Sequence, residues 1–297
     1  MIKDGCQAAR TAGPAHPDCA SIPVGSPLVM TEPLLLIHPV GVGLSSRFWE
    51  RFRRSWQGRD ESRPLLAPDL LGCGEAPMQK RALTAEDWAA PLEQQLRARD
   101  DGPVVLVSQG ASLPIALALI ERAPDLVSRL VAISPPGWRV LSEPFPLQRA
   151  RQFWGLLFSG PIGGLFYRYA RRRAFLRSFS EKNLFAVPDS VDEEWLSTLE
   201  QGSAPMASRW AVFSFLAGFW RRNWEPQLCS LSIPVLVVFG RDATGIGRSR
   251  RWDDADERIA TFKSKLPRAE IRTISGRNVL PFESAEACVE AVQSWLC

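Results

Sequence analysis

Residues 103–120 read PVVLVSQGASLPIALALI. Val104–Ser108 is a short β-branched run with strand character, and Ala111–Arg122 is an apolar run with helical character. Between them lies Ser108-Gln109-Gly110-Ala111-Ser112, a turn of small residues. A strand, a tight turn and a helix in that order have the shape of a nucleophile elbow, whose pattern is G-x-S-x-G. Ser108 and Ser112 are small enough to stand for the flanking glycines, but the place of the attacking hydroxyl is held by Gly110. An elbow residue needs positive φ, a strain that glycine does not feel. The stretch keeps the architecture of the turn and drops its hydroxyl.

Outward from this unit the chain alternates between strands and helices. Strands are predicted at Leu34–His38, Pro64–Leu70, Leu130–Ser134, Pro234–Phe239 and Glu270–Ile274. Helices are predicted at Ser46–Trp56, from Thr84 onward with Asp87 at capping-box spacing, near Asp254–Leu266 and near Ala285–Leu296. Near-continuous Val/Ile/Leu strands separated by helices predict a mostly parallel α/β sheet with helices on both faces. Residues 1–30 carry no sustained period and are expected to form a mobile tail. The strand signal also vanishes over residues 139–225, where aromatic and Arg-rich helical stretches replace it. The expected organisation is a tail at 1–30, an α/β core at 31–138 and 226–297, and an inserted helical cap at 139–225.

Composition narrows the function. The chain has 297 residues, 45% of them hydrophobic, which suits one large domain that buries a core. A net charge of +4 gives no ground for a nucleic-acid partner. No basic start followed by an apolar stretch marks a secretory signal, and no apolar run is long enough for a membrane span, so the cytoplasm is the expected compartment. The six cysteines form no C-x-x-C pair and no spacing with the histidines suggests zinc, so neither metal nor cofactor is expected. Only two histidines exist, His16 and His38, and any histidine base has to be one of them.

Three loops carry a resemblance. His38-Pro39-Val40-Gly41 follows the first strand, Asp69-Leu70-Leu71-Gly72-Cys73-Gly74 follows the second, and the elbow follows the third. Together they resemble the His-Gly oxyanion loop, the D-x-x-G-x-G loop and the elbow of the α/β-hydrolase superfamily over residues 32–297. The stretches HPVGVGLSSRFW, DLLGCGE and GRNVLPFE look most like hydrolase-like proteins of cyanobacteria and chloroplasts, which would make the stroma an equivalent compartment. The resemblance implies an α/β-hydrolase core whose cap sits between the strand ending at Ser134-Pro135-Pro136 and the strand IPVLVVFG. It also implies where a triad would lie. The acid loop G-x-x-D places Ala243 at the acid, with Asp242 one residue early, and counting back five from Glu283 places Asn278 at the base. With Gly110 at the nucleophile, all three positions read as substituted. The short N-terminus further implies that the antiparallel edge strands of the usual eight-stranded sheet are reduced.

What survives substitution is the pair of backbone donors at Val40 and Ala111, which need no side chain to receive a carbonyl oxygen or an anion. His38, Gln109, Ser112, Asp242 and Arg277 are the candidates to line the pocket. The alternative to a silent triad is a hydrolase, esterase- or dehalogenase-like, with a non-standard site around His38, Ser112, Asp242 and Arg277. Against it, an amide at 278 takes no proton near neutral pH, His38 reads as a histidine held between loops, and Asp242 reads as a structural ion pair with Arg241 or Arg277. Cys73 has no neighbour in sequence that would activate it.

The cap sends a separate signal. Phe153–Tyr167 reads FWGLLFSGPIGGLFY and is followed by Arg168, Arg171, Arg172, Arg173 and Arg177; Trp210–Trp220 reads WAVFSFLAGFW and is followed by Arg221 and Arg222. Residues 139–225 hold twelve Lys/Arg against eight Asp/Glu, an excess equal to the net charge of the whole chain. Aromatic surface beside arginines suits an apolar or amphiphilic small molecule, or peripheral contact with a membrane. The plainer expectation is that these apolar residues pack on the core. The leading reading is a non-catalytic member of the superfamily that binds such a molecule between core and cap or serves as a non-catalytic partner.

Overall fold

The computed structural model describes residues 31–60, 63–99, 101–246 and 254–297. The expected tail at 1–30, with Cys6, His16 and Cys19, lies outside the described residues. Six strands form one sheet: β1 (Leu34–Ile37), β2 (Leu65–Leu66), β3 (Val104–Gln109), β4 (Val127–Ile133), β5 (Val235–Gly240) and β6 (Glu270–Ile274). Every pairing is parallel, in the order β2-β1-β3-β4-β5-β6. Because side chains alternate across a strand, each apolar run feeds two cores. Leu35, Ile37, Leu106, Ala132 and Val237 face one, and Leu34, Leu36, Val107, Val131 and Val238 face the other.

The first core is closed by α2 (Ala85–Arg99), α3 (Leu113–Arg122) and α11 (Ala255–Lys265), and the second by α1 (Glu50–Gln57), α12 (Leu280–Glu283) and α13 (Ala285–Leu296). The capping box predicted ahead of α2 forms: Thr84 N donates to Asp87 Oδ2 at 2.8 Å and Asp87 N donates to Thr84 Oγ1 at 3.3 Å. β2 is much shorter than the predicted Pro64–Leu70. It pairs only through Leu65 and Leu66 at the sheet edge. Beyond Pro68 the Asp69 carboxylate instead accepts from Ser46 N at 2.7 Å and Glu75 N at 2.8 Å, which folds the D-x-x-G-x-G stretch into a clamped loop. Gly74, at φ +53°, is required there, because a Cβ would lie 2.1 Å from that carboxylate.

Between β4 and β5 the described residues hold no strand. They fold into α4 (Trp138–Ser142), α5 (Leu147–Phe153), a π-helical turn at Trp154–Phe158, α6 (Pro161–Ala170), α7 (Arg173–Asn183), α8 (Glu193–Ser203), α9 (Arg209–Ala217) and α10 (Glu225–Cys229). Trp195 on α8 fastens this segment to the sheet. It is fully buried, meets Phe282 edge-on at 4.7 Å and Phe185 at 5.2 Å, and donates from Nε1 to Ser180 Oγ at 2.8 Å. Outside it, Arg51 of α1 stacks on Phe282 and pairs with Asp192 and Glu194. Such half-exposed pairs add little, so the aromatic packing carries the attachment. Trp195→Ala is expected to lower unfolding free energy by about 3–5 kcal/mol, measured by urea denaturation; a loss below about 1 kcal/mol would mean that α8 is held by something else.

Candidate functional site

The strand order reverses around β1, with β2 on one side and β3 on the other. Loops leaving the carboxyl ends of β1 and β3 therefore diverge and open a crevice, the usual place for a ligand in a parallel sheet. A cavity of about 430 Å³ occupies it. The floor is built from Pro39–Val42 after β1, Gln109–Ala111 after β3, Ser134 after β4, Thr244–Ile246 after β5 and Asn278 after β6; α6, α7, α8 and α9 supply an apolar roof.

The elbow forms as a 3₁₀ turn between β3 and α3, with Gly110 at φ +58°. A Cβ at 110 would meet nothing nearer than Ser134 O at 3.9 Å, so the glycine is not imposed by crowding. Gly110, Gln109, Ala111, Val40 and Asn278 all line the cavity. Hydrogen bonds draw the neighbouring loops together. Gln109 Nε2 donates to Asn278 O at 2.6 Å, and Asn278 Nδ2 donates to Thr244 O at 3.0 Å and to Asn183 O at 2.8 Å. Asn278 N donates to Leu184 O at 3.0 Å. Glu283 supports this loop by accepting from Arg277 N at 2.8 Å and Ala186 N at 2.6 Å. Ala243 is buried beside Thr244 but does not itself reach the cavity.

Four residues expected to line the pocket do not. His38 lies beneath the floor, fully buried. Its Nε2 accepts from Leu70 N at 3.0 Å, which leaves Nδ1 as the donor to Pro39 O at 2.9 Å. Burial holds its pKa below the ordinary 6.5, despite the opposing pull of the Pro39 carbonyl and Asp69, so the ring stays neutral with both nitrogens engaged. Ser112, also fully buried, accepts from Gln109 N at 3.1 Å and bridges the carbonyls of Ile37 and Gln109, which makes it the cap of the elbow. Asp242 is exposed and forms no ion pair among the described residues, with Arg241 or with Arg277. Arg277 points away and donates to Lys182 O at 3.1 Å. Burial pushes the Cys73 thiol up to about 12, far from a reactive thiolate.

The cavity instead holds three polar side chains that sequence reading passed over. Ser134, 5% exposed, is the one non-glycine residue with positive φ (44°) among the described residues, and its Oγ has no hydrogen-bond partner. Thr244 Oγ1 is likewise buried without a partner. Arg258 is 6% exposed and reaches Pro135 O at 3.4 Å. A serine closing a parallel strand at the sheet's carboxyl edge was the available signal. Among the described residues that line the cavity there is no carboxylate, imidazole or thiol, and no group of three His, Cys, Asp or Glu side chains is placed to hold a metal.

A parallel sheet wrapped by helices, an elbow after a central strand and a ligand-sized cavity beneath a helical excursion define a class of α/β proteins with a ligand site at the carboxyl edge of the sheet. The alpha/beta hydrolase family model matches residues 34–291, and the chain belongs to that family. It is 33% identical over 111 residues to the lipase LipV of Mycobacterium tuberculosis, covering 34% of this chain and 36% of that protein. It is 33% identical over 106 residues to the 2-hydroxymuconate semialdehyde hydrolase of Pseudomonas sp. (strain CF600), covering 35% of this chain and 37% of that one. The matched stretches thus span little more than a third of either relative. A thermophilic esterase from Thermogutta terrifontis superposes over 89% of both chains with a TM-score of 0.66 at 19% identity, a likeness of fold alone. No described helix is long and apolar enough to cross a membrane.

Two outcomes follow from these bonds. His38 is neutral when folded, whereas the unfolded chain takes up its proton below the ordinary value of 6.5. Stability is therefore retained above that pH and falls as pH drops beneath it, by up to about 1.4 kcal/mol per pH unit. Denaturation curves across this range should flatten in His38→Gln; an unchanged slope would assign the effect elsewhere. Asn278→His leaves at least one of the half-buried carbonyls of Thr244 and Asn183 without its donor, and a loss of about 1 kcal/mol is expected by the same method.

Proposed function

We propose that this chain uses the α/β-hydrolase fold to bind an amphiphilic small molecule rather than to hydrolyse one by a Ser-His-Asp triad. The observation that carries this reading is the cavity wall. Where a nucleophile, base and acid would face substrate, the described residues offer Gly110, Asn278 and a buried Ala243, and the only titratable side chain lining the cavity is Arg258. An arginine is no general base. What supports binding is the lining: Val40 and Ala111, the candidate backbone donors, border the cavity, Ser134 and Thr244 supply hydroxyls without partners, and Arg258 brings positive charge. Walls such as Phe175, Leu176, Phe215 and Trp220 suit a hydrocarbon chain. The best fit is a molecule with an oxygen-bearing head and an apolar tail, such as a fatty acid or acyl ester. The stretches similar to hydrolase-like proteins of cyanobacteria and chloroplasts support a cytoplasmic or stromal setting.

One observation favours the second reading, an esterase- or dehalogenase-like hydrolase with a non-standard site. Ser134 has a strained backbone and an unpartnered hydroxyl in the cavity, beside Gly110. Strain of that kind gathers at working sites. It lacks a base within the described lining, which is why binding is preferred.

Purified protein is expected to give no turnover of short- or medium-chain aryl esters beyond the roughly 10³–10⁴-fold that an oxyanion hole and binding leave without a triad. Turnover that vanishes in Ser134→Ala would establish the second reading. Titration with a medium-chain fatty acid should show saturable binding, weakened about fivefold in Ser134→Ala by the loss of one hydrogen bond worth about 1 kcal/mol. The triple change Gly110→Ser, Ala243→Asp, Asn278→His restores the residue types of a triad, and any esterase activity it gains measures how much of the supporting geometry persists.

A further inference from the structure

The π-helical turn and α6 turn an apolar surface outward. Ile162, Leu165, Phe166 and Tyr169 recur at i, i+3, i+4 and i+7 of α6, the spacing of one helical face. All four are exposed, while Gly163, Tyr167 and Ala170 take the buried positions. Phe153, Leu156 and Leu157 just before them are exposed as well; Leu156 is 77% and Leu165 63% accessible. The plainer expectation, that the aromatic runs pack inward, holds for the buried Tyr167, Trp210, Val212 and Phe213 and for Trp154 and Phe158 half-buried against them. A contiguous apolar patch of this kind marks a surface that meets something less polar than water.

The charge around the patch says what that is. Beside Leu165 lies a basin of about 550 Å³ walled by Lys80, Arg168 and Arg209, with Trp210 at its side and no acidic residue in its lining. Arg209 stacks on Trp210 at 4.0 Å and the Lys80 ammonium lies 5.4 Å from the same ring. None of the three cations is in an ion pair among the described residues. Of the other arginines expected to join this face, Arg171 donates to Ala204 O and Arg172 lies over Tyr169, and several more are neutralised by carboxylates. Arg173 pairs with Glu193 and Glu200, Arg177 with Glu181 and Glu193, and Arg222 with Glu86 and Glu121. Arg221 donates to Glu143 O and faces Phe145. An exposed hydrocarbon face with an unneutralised cationic basin at its margin has the two attractions of an anionic bilayer surface, acyl chains below and phosphate heads above. The patch is also continuous with the cavity, since Phe166, Phe179 and Leu216 are both exposed and part of the cavity wall.

We infer that this chain docks peripherally on membranes rich in anionic phospholipid. In this pose Leu156, Leu157, Ile162 and Leu165 enter the acyl boundary, and Lys80, Arg168 and Arg209 take a headgroup phosphate. Docking would bring the cavity mouth to the bilayer. It does not depend on whether the cavity binds or hydrolyses its occupant.

The test is flotation of the full chain with vesicles of phosphatidylcholine alone and of phosphatidylcholine with phosphatidylglycerol, at low and high salt. Attachment is expected to the anionic vesicles only, weakening as salt screens the phosphates. Lys80→Gln with Arg168→Gln should lower the partition coefficient about thirtyfold. Leu156→Asp with Leu165→Asp, both on exposed positions, should abolish attachment with far-UV circular dichroism unchanged. Equal attachment to both vesicles, attachment to neither, or attachment indifferent to the leucine changes would overturn the inference. So would a wild-type dimer that those changes convert to a monomer, because the patch would then be covered by a second copy.

Discussion

The site is organised around one residue, Asn278, through its main chain and its side-chain amide. Asn278 ties together three pieces of chain that are distant in sequence: its main-chain O accepts from the Gln109 side chain of the elbow, its side-chain amide donates to Thr244 O after β5 and to Asn183 O at the end of α7, and its main-chain N donates to Leu184 O beside it. The two main-chain bonds need no particular side chain, but the pair to Thr244 O and Asn183 O needs an amide. Its NH₂ provides two donors in a plane, and both go to half-buried carbonyls beside the cavity. A histidine at the same place offers one donor when neutral and requires a partner for its second nitrogen. Asn278 thereby ties the end of α7 in the roof to the loop after β5 in the floor of the cavity.

Strain tells a matching story. The elbow keeps its left-handed turn at Gly110, where the residue type carries no penalty, and Ser112 caps it so that α3 starts cleanly. One strand over, Ser134 carries a left-handed backbone with a side chain, a conformation of order 1–3 kcal/mol less favourable. Its hydroxyl is buried with nothing to bond, which adds to the cost. Two unfavourable terms at one residue on a cavity wall are coherent if an occupant removes one of them. That is the physical reason for giving Ser134 the head of the ligand, while Ser112, which is equally buried but fully bonded, gets a purely structural role.

The fold was legible because it is written in local chemistry. Each core strand is an apolar run that can lie flat only with both faces covered, and Thr84 with Asp87 announced a helix start that forms as a capping box. The shortness of β2 was hidden, since the hydrogen bonds that end it come from Ser46, far away in sequence. Site positions after strands were legible for the same reason as the strands. Which side chains then face the cavity was not. His38 directly follows a strand and looks poised, yet a single bond from Leu70 N turns it beneath the floor. Arg258 comes to the wall from the first turn of α11 with no motif around it. The expected pairing of Asp242 failed because adjacency in sequence puts Arg241 and Asp242 on an exposed turn, where water solvates both.

The two halves of α6 link the surface to the interior. Its inward side admits only small or well-placed groups: a Cβ on Gly163 would lie 2.3 Å from Phe158 O, and the Tyr167 hydroxyl meets Ser208 Oγ at 2.7 Å. The helix therefore sits close on the π-helical turn and cannot rotate to bury its outer stripe without losing that fit. An apolar stripe held outward by inward packing is a fixed property of the fold, and the stability it forgoes in water is recovered only at a less polar surface. Phe166 stands at the seam, part of the exposed stripe and part of the cavity wall. An amphiphile leaving a bilayer at that point would pass from acyl chains to an apolar roof before its head met Ser134, Thr244 and Arg258, so its tail would stay out of water along the whole route.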